Sequence, residues 1–158
     1  MKNTIEFVPL VALDLIIKNN KEEILLGMRT NSPAKNYWFV PGGRVIKYEE
    51  LKSTLKNISL NELGIELKLT DVKLYGIYDH IYKNENYLEN GKFGTHYVVI
   101  TLIYEDKENK INLTKLPKIQ HNKYKFFSIK ELLNNNEVHQ YTKTYFIEKP
   151  NNLFIKID

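Results

Sequence analysis

Residues 8–18 are apolar almost without interruption, the pattern of a strand buried on both faces, and the polar turn 19–23 ends the run. Residues 24–28 return as a second strand. The segment 31–36, which contains Pro33, reads as a loop, and 37–40 reads as a short strand stopped by Pro41, Gly42 and Gly43. The rhythm then changes to a helical one over 47–63, where Leu51, Leu55 and Ile58 recur on one face and Gly64 supplies the stop. Residues 72–82 and 96–104 predict two longer strands joined by the polar stretch 83–94. Residues 124–127 predict a short strand, 128–133 a helix capped by Ser128, and 140–148 another helix. No repeat or linker breaks this pattern. Residues 1–158 are therefore expected to form a single domain of the α+β class, strands gathered around one or two helices.

Two acids interrupt the apolar pattern. Asp14 sits inside the first strand, where a carboxylate is either paired or functional. On the helix, at about 100° per residue, Glu62 falls within about 60° of the stripe formed by Leu51, Leu55 and Ile58. An unpaired charge there is costly, so Glu62 needs a metal ion, a basic partner or an exposed position at the helix end. Taken alone, exposure or a structural ion pair is the simpler reading. The Gly42-Gly43 turn just before the helix adds a third option, because glycines let backbone carbonyls approach a hard cation that prefers oxygen.

Composition sharpens this in three ways. The chain has no cysteine, which excludes disulfides and thiolate metal sites and suits a reducing compartment, so a cytoplasmic setting is expected. No run reaches the roughly 20 apolar residues of a membrane span, and residues 1–7 have no apolar leader core. The net charge of +4 comes from lysines scattered along the chain, not from a block with interleaved aromatics, so a nucleic-acid footprint is not expected. The exception to this lysine usage is the pair Arg29 and Arg44. Retained arginines suggest positions that need a planar fork of donors, such as phosphate contacts, with a surface ion pair as the plain alternative.

Gly43, Glu49, Glu62, Gly64 and Ile65 match the frame of the signature of the Nudix hydrolases, and the chain resembles that family. The resemblance implies an α/β/α sandwich with a mixed β-sheet, in which a loop and a catalytic helix hold divalent metal against a diphosphate. The match has gaps. Asn57 stands where the family has arginine, and Ile58 and Asn61 stand at two of its three metal-binding glutamates. Fewer carboxylates hold fewer cations, so one Mg2+ per active site is expected.

One branch departs from the signature in this way, the GDP-mannose mannosyl hydrolases, and the likeness to them runs over roughly residues 9–148. It is carried by residues 9–14 (Pro-Leu-Val-Ala-Leu-Asp), 26–31 (Leu-Gly-Met-Arg-Thr-Asn), 37–45 (Tyr-Trp-Phe-Val-Pro-Gly-Gly-Arg-Val), 95–99 (Thr-His-Tyr-Val-Val) and Gln120-His121. This branch breaks the bond between the anomeric carbon and the diphosphate, with inversion. The resemblance implies magnesium ligands at the Gly43 carbonyl, Glu62 and Gln120, with His121 as general base. It also implies that Arg29, Arg44 and Tyr97 bind the diphosphate, and that Asp14 and His80 hold the sugar or phosphate. Tyr97 and His80 look equally like ordinary strand residues, and His121 alone like a surface loop histidine. GDP-mannose, and second GDP-glucose, would be the substrate, and a homodimer the assembly. Two other readings compete: a pyrophosphatase attacking phosphorus to give GMP and sugar phosphate, and a nucleotide-binding module without catalysis.

Overall fold

The computed structural model describes residues 6–84, 93–117 and 121–147. Among the described residues seven strands form one sheet, and β1 (Leu10–Asn19) is its axis. Along one edge β1 pairs in parallel with β6 (Thr95–Asp106), from Leu10 opposite Tyr97 to Asn19 opposite Asp106. Along the other it is shared between β4 (Gly42–Arg44), opposite residues 12–14, and β2 (Ile24–Arg29), which starts opposite Lys18. β3 (Trp38–Phe39) and β7 (His121–Phe127) flank β2, and β5 (Val72–Tyr82) closes the far edge against β6.

The continuous apolar run of β1 is explained by cover on both faces. Ala12 and Ile16 point into a core with Leu26, Trp38, Phe127, Leu132 and Tyr145, closed by helices α2 (Ile129–Asn134) and α3 (Gln140–Ile147). Leu13, Leu15 and Ile17 point into a second core with Leu25, Leu55, Ile58 and Leu63, closed by helix α1 (Leu51–Leu63). The result is a three-layer arrangement around a mixed sheet, the α+β sandwich expected. Asp14 follows the parity of Ala12 and Ile16, so its carboxylate belongs to the α3 face.

Element boundaries differ from the pattern in instructive places. The helix begins at Leu51 and not at 47, because Tyr48 takes a left-handed conformation (φ 71°) and Glu50 is extended. Leu51 is consequently 40% exposed at the first turn, not part of the buried stripe. The C-terminal stop is as expected: Gly64 is left-handed (φ 67°) and its N–H returns to the Leu60 carbonyl. The Gly42-Gly43 turn is itself a strand. Ser128 caps α2, its hydroxyl accepting from the Glu131 N–H at 3.2 Å. β7 reaches back to His121, three residues before the predicted start.

Candidate active site

A cavity of about 430 Å3 opens between β1, β4, the start of α1 and the loop after β2. Its size suits a small-molecule ligand. Asp14, Arg29, Gly43, Arg44, His80 and Tyr97 all line it. Thus six of the nine expected site residues, drawn from positions 14 to 97, meet in one cavity.

Topology explains the convergence. The β1–β4 register places Gly42 opposite Asp14, and a Cβ on Gly42 would overlap the Asp14 carboxylate. Glycine is required there by close approach. Arg29 ends β2 just past a register shift between Gly27 and Arg29, an irregularity of the kind that re-aims a side chain. Its Nε donates to the Pro33 carbonyl at 2.9 Å, and its guanidinium lies 5.7 Å from the centre of the Phe39 ring.

Asp14 is buried, and burial pushes its carboxyl up to about 6, opposed by a hydrogen bond from Tyr145 and by the charge of Arg29. The Tyr145 hydroxyl donates to Asp14 Oδ2 at 2.6 Å and lies 3.1 Å from His80 Nε2. His80 stacks on Tyr141 with ring centres 4.3 Å apart. Burial, with His139 nearby, lowers the His80 imidazole to about 3, so it is neutral at ordinary pH. The cavity therefore combines two guanidinium groups with the carboxyl groups of Asp14 and Glu49 and a neutral imidazole.

Helix α1 turns Thr54, Asn57, Ile58 and Asn61 to the cavity. Asn57 Nδ2 donates to Glu49 Oε1 at 2.7 Å, and Glu49 Oε2 accepts from the Ile46 N–H at 3.3 Å. Asn57 thus ties Glu49 down with a neutral amide.

Glu62 and His121 come together elsewhere, on the α1 side of the sheet. Both are sealed, at 1% and 0% exposure, and neither lines the cavity. Glu62 Oε2 accepts from the Tyr124 hydroxyl at 2.6 Å and pairs with His121 Nδ1 at 2.7 Å. The imidazole lies against Gly27, where a Cβ would collide with it. So Glu62 is not exposed at the helix end but has a basic partner in His121, and His121 is a buried strand residue, not one on a surface loop. Gln120 lies outside the described residues.

The sequence profile of the NUDIX domain matches residues 8–147. The chain belongs to the NUDIX domain family. NUDIX proteins hydrolyse nucleoside diphosphate derivatives with divalent ions such as Mg2+ or Mn2+. The fold is shared with the MutT protein of Methanosarcina mazei Go1 (TM-score 0.62, 21% identity, 89% of this chain and 92% of that one). It is shared also with the NUDIX hydrolase of Nitrosomonas europaea (TM-score 0.65, 18% identity, 88% and 86%). A curated relative, the low-salt glycan biosynthesis protein Agl8 of Haloferax volcanii, is 41% identical over 75 residues. That match covers 48% of this chain and 46% of Agl8, so it spans about half of each.

The residues present fit one divalent cation. Glu62 Oε1 is a buried carboxylate oxygen with no hydrogen-bond partner among the described residues, a donor that a hard cation would satisfy. A cluster of three or more His, Cys, Asp or Glu side chains does not occur among the described residues, so backbone or amide oxygens would complete the shell. The Gly43 backbone runs beside α1, where a Cβ would come within 3.2 Å of Ile58.

Sequence reasoning missed Tyr145, Tyr124 and the Glu49–Asn57 bond. Tyr145 is separated from Asp14 by 131 positions. Nothing in its surroundings distinguishes it from a core aromatic.

Proposed function

We propose that this protein hydrolyses a nucleoside-diphosphate sugar, GDP-mannose first and GDP-glucose second, by attack of water at the anomeric carbon with one Mg2+. The observation that carries the reading is the composition of the cavity. Two arginines, Asp14, His80 and Tyr97 converge there, while the α1 face turned toward them offers Ile58 and Asn61 where the family's carboxylates would stand. An α1 face without carboxylates in the cavity does not collect several cations around a phosphorus under attack. It suits a diphosphate that departs as one unit. The partial match to Agl8, a glycan biosynthesis protein, supports a sugar-nucleotide substrate.

In this reading Arg29 and Arg44 grip the diphosphate as planar forks, and Tyr97 donates to the leaving phosphate. Asp14 and His80 hold the sugar. Glu62 Oε1, the Gly43 carbonyl and Gln120 hold the cation, which when bound neutralises charge developing on the departing diphosphate. His121 serves as general base. An ionised Glu62 only accepts, so His121 donates through Nδ1 and a neutral imidazole keeps a lone pair on Nε2. That nitrogen has no partner among the described residues.

A second reading of the base rests on one difference: Asp14 lines the cavity, whereas His121 is sealed. Comparing His121→Ala with Asp14→Asn separates them, because only loss of the base removes the pH dependence of kcat on its own side of the profile.

The reaction is tested with GDP-mannose and Mg2+ in oxygen-18 water. Label on the free sugar supports attack at carbon. Label on GMP or on sugar phosphate establishes the pyrophosphatase, and binding without product establishes the nucleotide-binding module. Equilibrium sedimentation of the same preparation tests the expected homodimer. Cytoplasmic residence is part of the same proposal; no helix among the described residues is long and apolar enough to cross a membrane.

A further inference from the structure

We propose that Tyr145 is a positioning residue for this site: its buried hydroxyl holds Asp14 and His80, one on either side, in the orientation in which they meet the sugar. The inference rests on the reading of Asp14 and His80 given above. Tyr145 is completely buried and does not line the cavity, so its hydroxyl reaches the site through Asp14 and His80.

Proton counting fixes the arrangement. A phenol has one proton, and an ionised carboxylate can only accept. With Tyr145 donating to Asp14 Oδ2 at 2.6 Å, the 3.1 Å contact to His80 Nε2 must run the other way, from an Nε2–H to the Tyr145 oxygen. One hydroxyl therefore selects which Asp14 oxygen is engaged and which His80 tautomer is present, leaving His80 Nδ1 as the unprotonated nitrogen. The phenol is itself fixed. Its ring packs on Tyr78 with centres 4.8 Å apart. Burial and the Asp14 charge beside it hold the phenol well above its usual range, so it remains a donor.

Tyr145→Phe keeps the ring and removes the hydroxyl. The expected result is a fall in kcat of about 10- to 100-fold with KM changed less than about twofold, since orientation is read in the transition state. In an Asp14→Asn background the same change should alter kcat less than about twofold, because residues acting as a unit are not additive. Tyr75→Phe, which removes a hydroxyl bonded only to backbone in the same cluster, should leave kcat unchanged. Full additivity of Tyr145→Phe with Asp14→Asn, or unchanged kcat, overturns the proposal.

Nitrogen-15 spectra of wild-type histidines supply a readout independent of turnover and of how well the variant folds. His80 protonated at Nε2 supports the proposal, and protonation at Nδ1 overturns it. Should the wild type hydrolyse no nucleotide sugar, the proposed function fails while the tautomer still decides the role of the hydroxyl.

Discussion

Two buried trios occupy opposite faces of the sheet, and each is built from a carboxylate, a tyrosine and a histidine. Asp14, Tyr145 and His80 form one; Glu62, Tyr124 and His121 form the other. In each, a carboxylate oxygen accepts a tyrosine hydroxyl at 2.6 Å. The order differs. Tyr145 stands between Asp14 and His80, whereas Glu62 stands between Tyr124 and His121. So does access: the first trio borders the cavity through Asp14 and His80, and the second is sealed behind it with Glu62 Oε1 and His121 Nε2 left without partners among the described residues. A satisfied trio open to a cavity suits recognition of a polar ligand. An unsatisfied trio next to a glycine-lined wall suits capture of a cation and proton transfer. On the proposed reading, the same three chemical groups take different work from their hydrogen-bond order and their distance from water.

The largest expected effect tests the sealed trio. Glu62→Gln removes the carboxylate assigned to the cation, and activity should fall by about 10^3-fold or more with the magnesium concentration for half-maximal rate raised, measured by magnesium titration. An unchanged titration would move the metal site off α1.

Next come the two rival bases. His121→Ala should lower kcat by about 10^2- to 10^4-fold while GDP binding, followed by calorimetry, stays nearly intact. A normal rate would transfer the base to the open trio and leave the sealed trio without a catalytic part.

Arg29→Lys keeps the charge but loses the fork, and kcat/KM should fall by about 10- to 100-fold, the size of one charge-assisted hydrogen bond.

A fourth outcome concerns stability. The folded-state value for Asp14, about 6, lies above its ordinary 3.8. Its contribution is therefore fully present below about pH 4 and is lost as pH rises through about 6, where the buried carboxylate must ionise. Asp14→Asn escapes that cost. The variant should melt on the order of 5 °C above wild type at pH 7.5 and equal to it near pH 4, as it loses activity. A lower melting point at pH 7.5 would mean that the Tyr145 and Arg29 contacts outweigh burial.

The smallest effect is Asn57→Arg, which offers Glu49 an ion pair in place of an amide bond. The pair is exposed, so stability should rise by no more than about 1 kcal/mol by thermal melting.

How much of this was legible varied with the range of the interaction. The length of β5, the Gly64 stop, the Ser128 cap and the double-sided burial of β1 are local or periodic properties, and each was readable from residue order. Asp14 and Glu62 were readable as misfits, because a charge in an apolar pattern demands a partner wherever it lies. The identity of the partner was not. Tyr145 is 131 positions from Asp14 and His121 is 59 from Glu62, and no local pattern encodes contacts across the sheet. The late start of α1 also escaped, since the spacing of Leu51, Leu55 and Ile58 says nothing of the left-handed Tyr48 ahead of them.

By itself, then, the sequence determined the class of fold and which residues must find partners, because periodicity and the cost of a buried charge are written one position at a time. It also limited α1 to a single carboxylate facing inward, Glu62. Tertiary structure decided the pairing: the β1–β4 register set Gly42 against Asp14, and packing on opposite faces sent one acid to the cavity and sealed the other beneath it. Burial and hydrogen-bond geometry depend on what the rest of the chain brings alongside, and only the folded sheet brings it.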